Sequence, residues 1–391
     1  MLNDFAFFPM KLFKRLIPWI LLAFAFFILP VMADKDLFGF SQFRLNLFGR
    51  YFSLAFVALG IDLIWGYTGL LSLGQGIFFS LGGYAIAMHL LLVTKNDFTT
   101  GANGLPKFFE NYGVDQLPFF WEPFWSFPVS IAAIFIVPSI VAGLVGYLIF
   151  RNRIKGVYFS IITQASLMVF YHFFNGQQKL VNGTNGLKTS TTEIFGLQAG
   201  SDDAQLLFYR ITLILLPFAF LLCKYLTSGR FGDALIGIRD DEPRLRFSGF
   251  NPTPFKVIVF VVAGGLAGVS GALYTVQSGI VSPQFMSISM SIEMVIWVAV
   301  GGRGTLIGPI LGAVIVNYLR SLVSEALPEA WLFVQGALFV FVVVLMPDGI
   351  YGWFTKGGFR SMLAAFGLAK KTATYPKLDL DESVQSESAS A

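Results

Sequence analysis

The strongest constraint on this chain is a succession of apolar runs, each long enough to cross a bilayer. They fall at Leu16–Ala33, Tyr51–Tyr67, Leu70–Val93, Phe127–Phe150, Val157–Phe174, Leu206–Leu226, Phe255–Gln277, Ser287–Val300, Leu306–Val323 and Trp331–Tyr351. An α-helix needs about 20 apolar residues to span the hydrocarbon layer. All but one of these runs approach that length, and Ser287–Val300 is the short exception. Composition agrees: 55% of the 391 residues are hydrophobic, 44 are Phe and only 13% are charged, against about 25% charged in a soluble domain. So much apolar side chain exceeds what one soluble core can bury. The expected fold is an all-α polytopic membrane protein with about 10 transmembrane helices.

Lys11, Lys14 and Arg15 precede the first run, and "PVMA" near its end resembles a cleavage site, so a signal peptide is one reading. The run is long enough to span and further spans follow, which favours a retained first helix. Orientation follows the positive-inside rule. The N-terminal cluster, the Arg151–Arg153–Lys155 turn, the loop 228–254, Arg303 and the Lys370–Lys371 pair all fall on one side, read as cytoplasmic, as are both termini. Loops 95–126 and 175–205 fall outside, while Arg44 and Arg50 in the first outer loop run against the scheme. The chain thus divides into a cytoplasmic N-terminus (1–15), a membrane domain (16–355) with a cytoplasmic loop at 228–254, and a cytoplasmic tail (356–391). The tail ends in a Ser/Glu-rich stretch, DLDESVQSESASA, that is expected to be disordered.

Several chemistries are disfavoured. One cysteine, Cys223, allows no internal disulfide and no cysteine-rich metal site. His89 and His172 are far apart and lack a surrounding acid–nucleophile pattern, so no catalytic or metal site and no cofactor is expected. The net charge of +4 reads as cytoplasmic loops facing a lipid bilayer, not as nucleic-acid binding. The stretch GTNGLKTS at 183–190 fails as a phosphate loop because Leu187 separates Gly186 from Lys188. The triplet Asn182-Gly183-Thr184 within it is a glycosylation sequon of a kind common by chance.

Against this background GIRDDEPRLRFSGF, residues 237–250, stands out by concentrating Arg239, Asp240, Asp241, Glu242, Arg244 and Arg246. Asp240 or Asp241 suits a helix N-cap, Pro243 its first turn, and Gly249 a left-handed terminus before Asn251-Pro252. A short helix of about two turns is expected there. Alone in water it would be unstable, so its capping makes sense as a plug for a partner groove; the bland alternative is a solvated loop that only sets topology. Gly264, Gly268 and Gly271, and Gly308 with Gly312, are spaced for close helix packing. The segment Gly66–Gly83 holds six glycines among Ser72, Gln75 and Ser80, which predicts a broken or bent helix lining a polar path. Asp62 and Glu293 are acids within spans, and such groups point to function by default. Structural pairing is the reading for Asp62, and for Glu293 both readings stay open.

Three blocks carry a resemblance: residues 60–88 (GIDLIWGYTGLLSLGQGIFFSLGGYAIAM), 229–274 (GRFGDALIGIRDDEPRLRFSGFNPTPFKVIVFVVAGGLAGVSGALY) and 291–317 (SIEMVIWVAVGGRGTLIGPILGAVIVN). In this order they resemble the permease subunits of ABC importers of the branched-chain amino acid and urea type. LPFFW (117–121) and NGTNGL (182–187) tilt the likeness towards the urea branch. The resemblance implies a non-catalytic permease in a bacterial plasma membrane, paired with a second, homologous permease. It also implies two cytoplasmic ATPase subunits and an extracytoplasmic solute-binding protein. The coupling role falls on Arg239–Gly249, where Pro243 and Phe247 depart from the family pattern. For a small neutral solute such as urea, Ser72, Gln75, Ser160, Thr163 and Gln164, with Glu293, are the candidate path residues; each polar group also suits helix–helix bonding. A proton-coupled carrier or channel acting through Asp62 and Glu293 is the alternative from another class.

Overall fold

A computed structural model describes residues 7–356 except 97, 155, 347 and 348. The Lys370–Lys371 pair and the Ser/Glu-rich tail lie outside the described residues. The helices are α1 (Phe7–Asp34), α2 (Gln42–Thr68), α3 (Gln75–Val93), α4 (Lys107–Asn111), α5 (Phe127–Arg151), α6 (Val157–Gly176) and α7 (Gln178–Val181). They continue with α8 (Asp202–Leu226), α9 (Gly229–Phe247), α10 (Thr253–Ser278), α11 (Ile288–Gly301), α12 (Ile307–Ala326), α13 (Trp331–Leu345) and α14 (Gly349–Lys356). Among the described residues, 7 helices are long and apolar enough to cross a bilayer: α2, α3, α5, α6, α8, α10 and α12. The remaining expected spans coincide with shorter apolar helices at Ile20–Asp34, Ile288–Gly301 and Trp331–Val342. With 14 residues, α11 rises only about 21 Å. It does not cover the hydrocarbon layer as a straight span, in keeping with its short run. The chain is an all-α, multi-pass membrane protein.

Local signals account for many helix ends. Ser201 accepts a hydrogen bond from the Ala204 N–H at the start of α8, with Asp202 and Asp203 in the first turn. Ser287 caps α11 in the same way through the Met290 N–H. Gly69 and Gly279 close α2 and α10 in the left-handed conformation, at φ 73° and 78°.

Packing is organised around α10, which lies against α2, α3 and α5. Its glycines make this possible. Gly271 touches the Phe79 carbonyl of α3, and Gly82 of α3 touches the Gly268 carbonyl in return. Gly264 and Gly268 face α5, where Pro138 cannot donate to the Ile134 carbonyl; Gly268 packs directly on that carbonyl. Gly60 of α2 meets the Ala263 backbone, and Gly312 of α12 meets Trp297 and Gly301 of α11. The glycine spacing therefore reports helix packing, as small residues do in lipid. On the far side, α1 is held by the Tyr209 hydroxyl of α8, which donates to the Ala25 carbonyl at 2.7 Å.

The two ends of the bundle differ. One is covered by ordered loops. Strand β1 (Leu187–Lys188) and strand β4 (Ile280–Val281) pair antiparallel, as do β2 (Glu193–Ile194) and β3 (Leu197–Gln198). Asn96 donates to the Thr191 carbonyl (2.9 Å), and the Trp121 indole donates to the Leu180 carbonyl (3.1 Å). His89 also bonds there, to the Phe124 carbonyl (2.7 Å). The other end carries α9, the α5–α6 turn and the α11–α12 loop. Buried Cys223 is a packing residue near that end.

Gly271→Ala drives a methyl group into the Phe79 backbone, whereas Gly336 of α13 has open space for one. The first substitution is expected to destabilise the protein by about 1–3 kcal/mol and the second to be neutral. Thermal unfolding in detergent, followed by gel filtration of the surviving monodisperse fraction, checks the contrast.

Candidate functional site

The charged stretch at 237–250 forms the second part of α9. Its expected surroundings were a loop; the chain is instead helical from Gly229 and breaks at Asp241, whose φ of −155° and ψ of 82° are not helical. Asp241 restarts the helix: its Oδ1 accepts from the Arg244 N–H at 3.0 Å, with Pro243 in the first turn. The stop is a Schellman arrangement. The Phe250 N–H donates to the Leu245 carbonyl (3.1 Å), the Gly249 N–H donates to the Arg246 carbonyl (3.0 Å), and Gly249 has φ +79°.

Two clamps fix α9 to the spans. In the first, the Arg239 guanidinium donates to the Gly66 carbonyl at 3.0 Å and to Asp240 at 3.0 Å. Gly66 lies in the last turn of α2, so the cation also meets the negative end of that helix. In the second, Glu242 accepts from Arg246 at 2.8 Å and from Lys256 at 2.7 Å. Lys256 is buried at the start of α10, with its ammonium 5.7 Å from the Phe150 ring centroid. Leu245 packs on Gly237, and Phe250 stacks on Phe255. Two residues point away from the bundle: Phe247 is 93% exposed and the Arg244 side chain 85%. Of the apolar side expected for this helix, only Phe247 remains open.

Asp62 is fully buried and bonds to backbone rather than to a basic side chain. Its Oδ1 accepts from the Gly304 N–H (2.5 Å) and its Oδ2 from the Leu306 N–H (3.0 Å). It thereby holds the α11–α12 loop, where Gly302, Gly304 and Leu306 all have positive φ. Gly66 lies directly against Gly304, and Arg303 lies over the Trp65 ring. Arg239, Gly66, Asp62 and the loop form one contiguous unit.

The predicted helix break is present, between α2 and α3 at 69–74, and α3 is continuous from Gln75 onwards. The break packs on α6. Ser160 donates to the Leu71 carbonyl (2.7 Å), and the Leu73 N–H donates to Thr163 Oγ1 (3.1 Å). Ser72 accepts weakly from the Gly74 N–H (3.4 Å) and Gln75 Nε2 (3.5 Å). Gln164 is half-buried on the same helix. Five of the six path candidates are thus gathered at the break and on α6. Glu293 is not among them: it is bonded through both oxygens to Arg320 of α12 at 2.8 Å.

Residues that sequence reasoning missed are Lys256 and Arg320. Each is a cation inside or at the edge of an expected apolar run, which was the available signal. Arg50, which ran against the charge rule, lies within α2 and donates to the Gln277 carbonyl at the end of α10 (3.0 Å). Among the described residues no cluster of His, Cys, Asp and Glu could hold a metal.

Residues 43–343 match the family described as "Branched-chain amino acid transport system / permease component". The chain is 24% identical over 315 residues to the high-affinity branched-chain amino acid transport system permease protein LivM of Salmonella typhimurium, covering 75% of this chain and 66% of that protein. It is 22% identical over 306 residues to the corresponding permease protein LivH of Escherichia coli (76% of this chain, 91% of the relative). With the ribose import permease protein RbsC of Haemophilus influenzae it shares 21% identity over 232 residues (57% and 68%). The alignment thus spans slightly under two thirds of the length of LivM. No solved structure matches the chain.

Burial raises the Glu242 carboxyl, but the Lys256 and Arg246 hydrogen bonds and charges outweigh it and hold the group below the usual glutamate range. The sign follows: the clamp's stabilisation is fully present above the ordinary pKa of about 4.3 and fades as pH falls through the depressed folded value. In membrane vesicles, proteolytic nicking of 237–250 is expected to rise only in strong acid. Glu242→Gln is expected to bring the same sensitivity at neutral pH, through loss of about 1–3 kcal/mol of local stability. Limited proteolysis with mass-spectrometric mapping across pH checks both.

Proposed function

The chain belongs to the branched-chain amino acid transport permease family, and on that footing we propose that it is a membrane subunit of an ATP-driven importer. Its partners are a second, homologous permease, two cytoplasmic ATPase subunits and an extracytoplasmic solute-binding protein. It sits in a bacterial plasma membrane, with the α9 end and both termini cytoplasmic. ATP is hydrolysed on the partner subunits, and this chain is non-catalytic.

The observation that carries the reading is the construction of α9. Its tip presents Phe247 and Arg244 to solvent, while Arg239 and Glu242 tie its base to α2 and α10. An exposed aromatic beside a cation suits the apolar, acid-rimmed groove of a docking subunit. Closure of the two ATPases then displaces α9, the clamps pass the displacement to α2, α10 and the Asp62-bound loop, and access to the path alternates. A carrier acting alone through Asp62 and Glu293 has less support. Both carboxylates are occupied, one by backbone N–H groups and one by Arg320.

Urea is the proposed solute. The two stretches behind that assignment adjoin one another in the loop-covered end, where Trp121 bonds to Leu180 just ahead of the 182–187 turn. The path candidates at the break, Ser72, Gln75, Ser160, Thr163 and Gln164, are uncharged. Branched-chain amino acids are the second reading, favoured by the names of LivM and LivH.

Uptake of isotope-labelled urea by cells with and without this chain, with excess leucine and after ATP depletion, tests the assignment. Deletion is expected to abolish an ATP-dependent uptake that leucine does not compete; competition by leucine moves the solute to amino acids. Arg244→Glu with Phe247→Glu is expected to lower that uptake at least tenfold with the protein still in the membrane at normal level. Unchanged uptake by this double variant contradicts the docking role.

A further inference from the structure

The α3–α6 seam separates hydroxyls that hold the fold together from polar groups that the fold leaves unused. Gly74 meets Thr163, Gly76 meets Leu167, and the Tyr84 ring lies 5.1 Å from that of Phe174. The two helices therefore run alongside one another in parallel. At the lower end of the seam Ser160, Thr163 and Ser72 bond to backbone of the break. Those hydroxyls brace the unwound segment.

Further along, the pattern reverses. Gln75 Oε1, the Ser80 hydroxyl and the Tyr84 hydroxyl have no hydrogen-bond partner among the described residues, and the three side chains are 1%, 0% and 1% exposed. Elsewhere in the bundle buried hydroxyls are satisfied by their own helix: Thr68, Thr212 and Ser166 each donate to the carbonyl four residues earlier. Ser80 does not. Gly76, Ser80 and Tyr84 are spaced by four and share one face of α3, and Gly76 and Tyr84 fix that face as the one on α6. An unpartnered buried hydroxyl costs about 1–3 kcal/mol, so three in one seam call for an explanation. From Gln75 to Tyr84 they cover about 14 Å along the helix, roughly half the hydrocarbon thickness. Neither α3 nor α6 contains Lys, Arg, Asp or Glu. Little of α6 is covered by the rest of the chain: 17% of its apolar window is buried, against 89% for α3. It is the wall of the seam that can move with least loss of contact.

We infer that the α3–α6 seam is the solute route within this chain, with Gln75, Ser80 and Tyr84 as successive hydrogen-bonding stations for a small, uncharged solute of the amide class. The inference rests on the transport reading above and sharpens it. A zwitterionic amino acid would bring a carboxylate and an ammonium into a seam that offers a charge partner to neither, whereas a neutral amide finds donors and acceptors at each station. No station carries a full charge, so none holds the solute too tightly to release it.

Two measurements on the full chain with its native partners test this. In the first, initial urea uptake is measured for Ser80→Ala and Tyr84→Phe, which remove an oxygen and little volume, with Tyr147→Phe as a control on the exposed face of α5. Each seam variant is expected to lose roughly three- to tenfold in rate at subsaturating urea, equivalent to one neutral hydrogen bond, and the control to lose nothing. In the second, Ser80→Cys is placed in a Cys223→Ser background and treated with a small water-soluble methanethiosulfonate. Labelling is expected during ATP-driven cycling and to be slowed by urea. Full uptake by both seam variants overturns the inference, as does a Ser80→Cys variant that stays unlabelled in every state. If deletion of the chain leaves all ATP-dependent uptake intact, the importer reading fails instead, and the labelling still reports whether the seam opens.

Discussion

Backbone hydrogen bonding in a water-free layer is the constraint on which the rest of this structure depends. A peptide group left unpaired in lipid is so unfavourable that a chain crossing it stays helical unless neighbouring protein satisfies what a break exposes. The bundle departs from helix at three informative places. At each, a particular side chain takes the freed groups. Ser160 and Thr163 of α6 hold the 69–74 break. Asp62 of α2 holds the 302–306 loop through Gly304 and Leu306. Asp241 holds the kink in α9 through Arg244. Two of these three breaks are held from a different helix, so they double as joints between elements.

The joints form a chain of contact. Arg239 ties α9 to the last turn of α2; Asp62, one turn back on α2, ties that turn to the start of α12. Glu242 ties the other side of α9 to α10, which in turn packs on α2, α3 and α5. A displacement of α9 therefore reaches most of the bundle through short hydrogen bonds and glycine-mediated backbone contacts, not through flexible loops. Helix α6 stands apart from this connected body, joined chiefly at the 69–74 break and along the α3 seam.

How much of this was readable from sequence depends on the range of the interaction. The apolar runs marked the spans because that signal is carried by composition alone. The capping of 241–250 was readable because N-cap, first-turn Pro and left-handed Gly act within a few residues. The third span was expected from Leu70 but begins at Gln75, because Gly69–Gly74 unwinds against α6; the glycine cluster signalled the break without fixing its place. Pairings across the bundle were not readable. Arg239 with Gly66, Glu242 with Lys256, and Glu293 with Arg320 depend on which helices touch, and that order is set by glycines meeting particular backbones. The distinction between Ser160, which braces, and Ser80, which is left unbonded, exists only once α3 and α6 are side by side.

The central claim is that α9 moves as one body with α10 while α6 moves relative to them. Pulsed electron paramagnetic resonance on spin-label pairs tests it directly, in the assembled importer with Cys223 replaced. One pair joins Ile236 of α9 to Ile258 of α10, and a second joins Ile236 to Val169 of α6, all at exposed positions. Between the nucleotide-free and ATP-trapped states the account predicts an unchanged first distance and a shifted second one. A first distance that changes while the second stays constant would show that α9 swings free of its clamps, and would contradict the account.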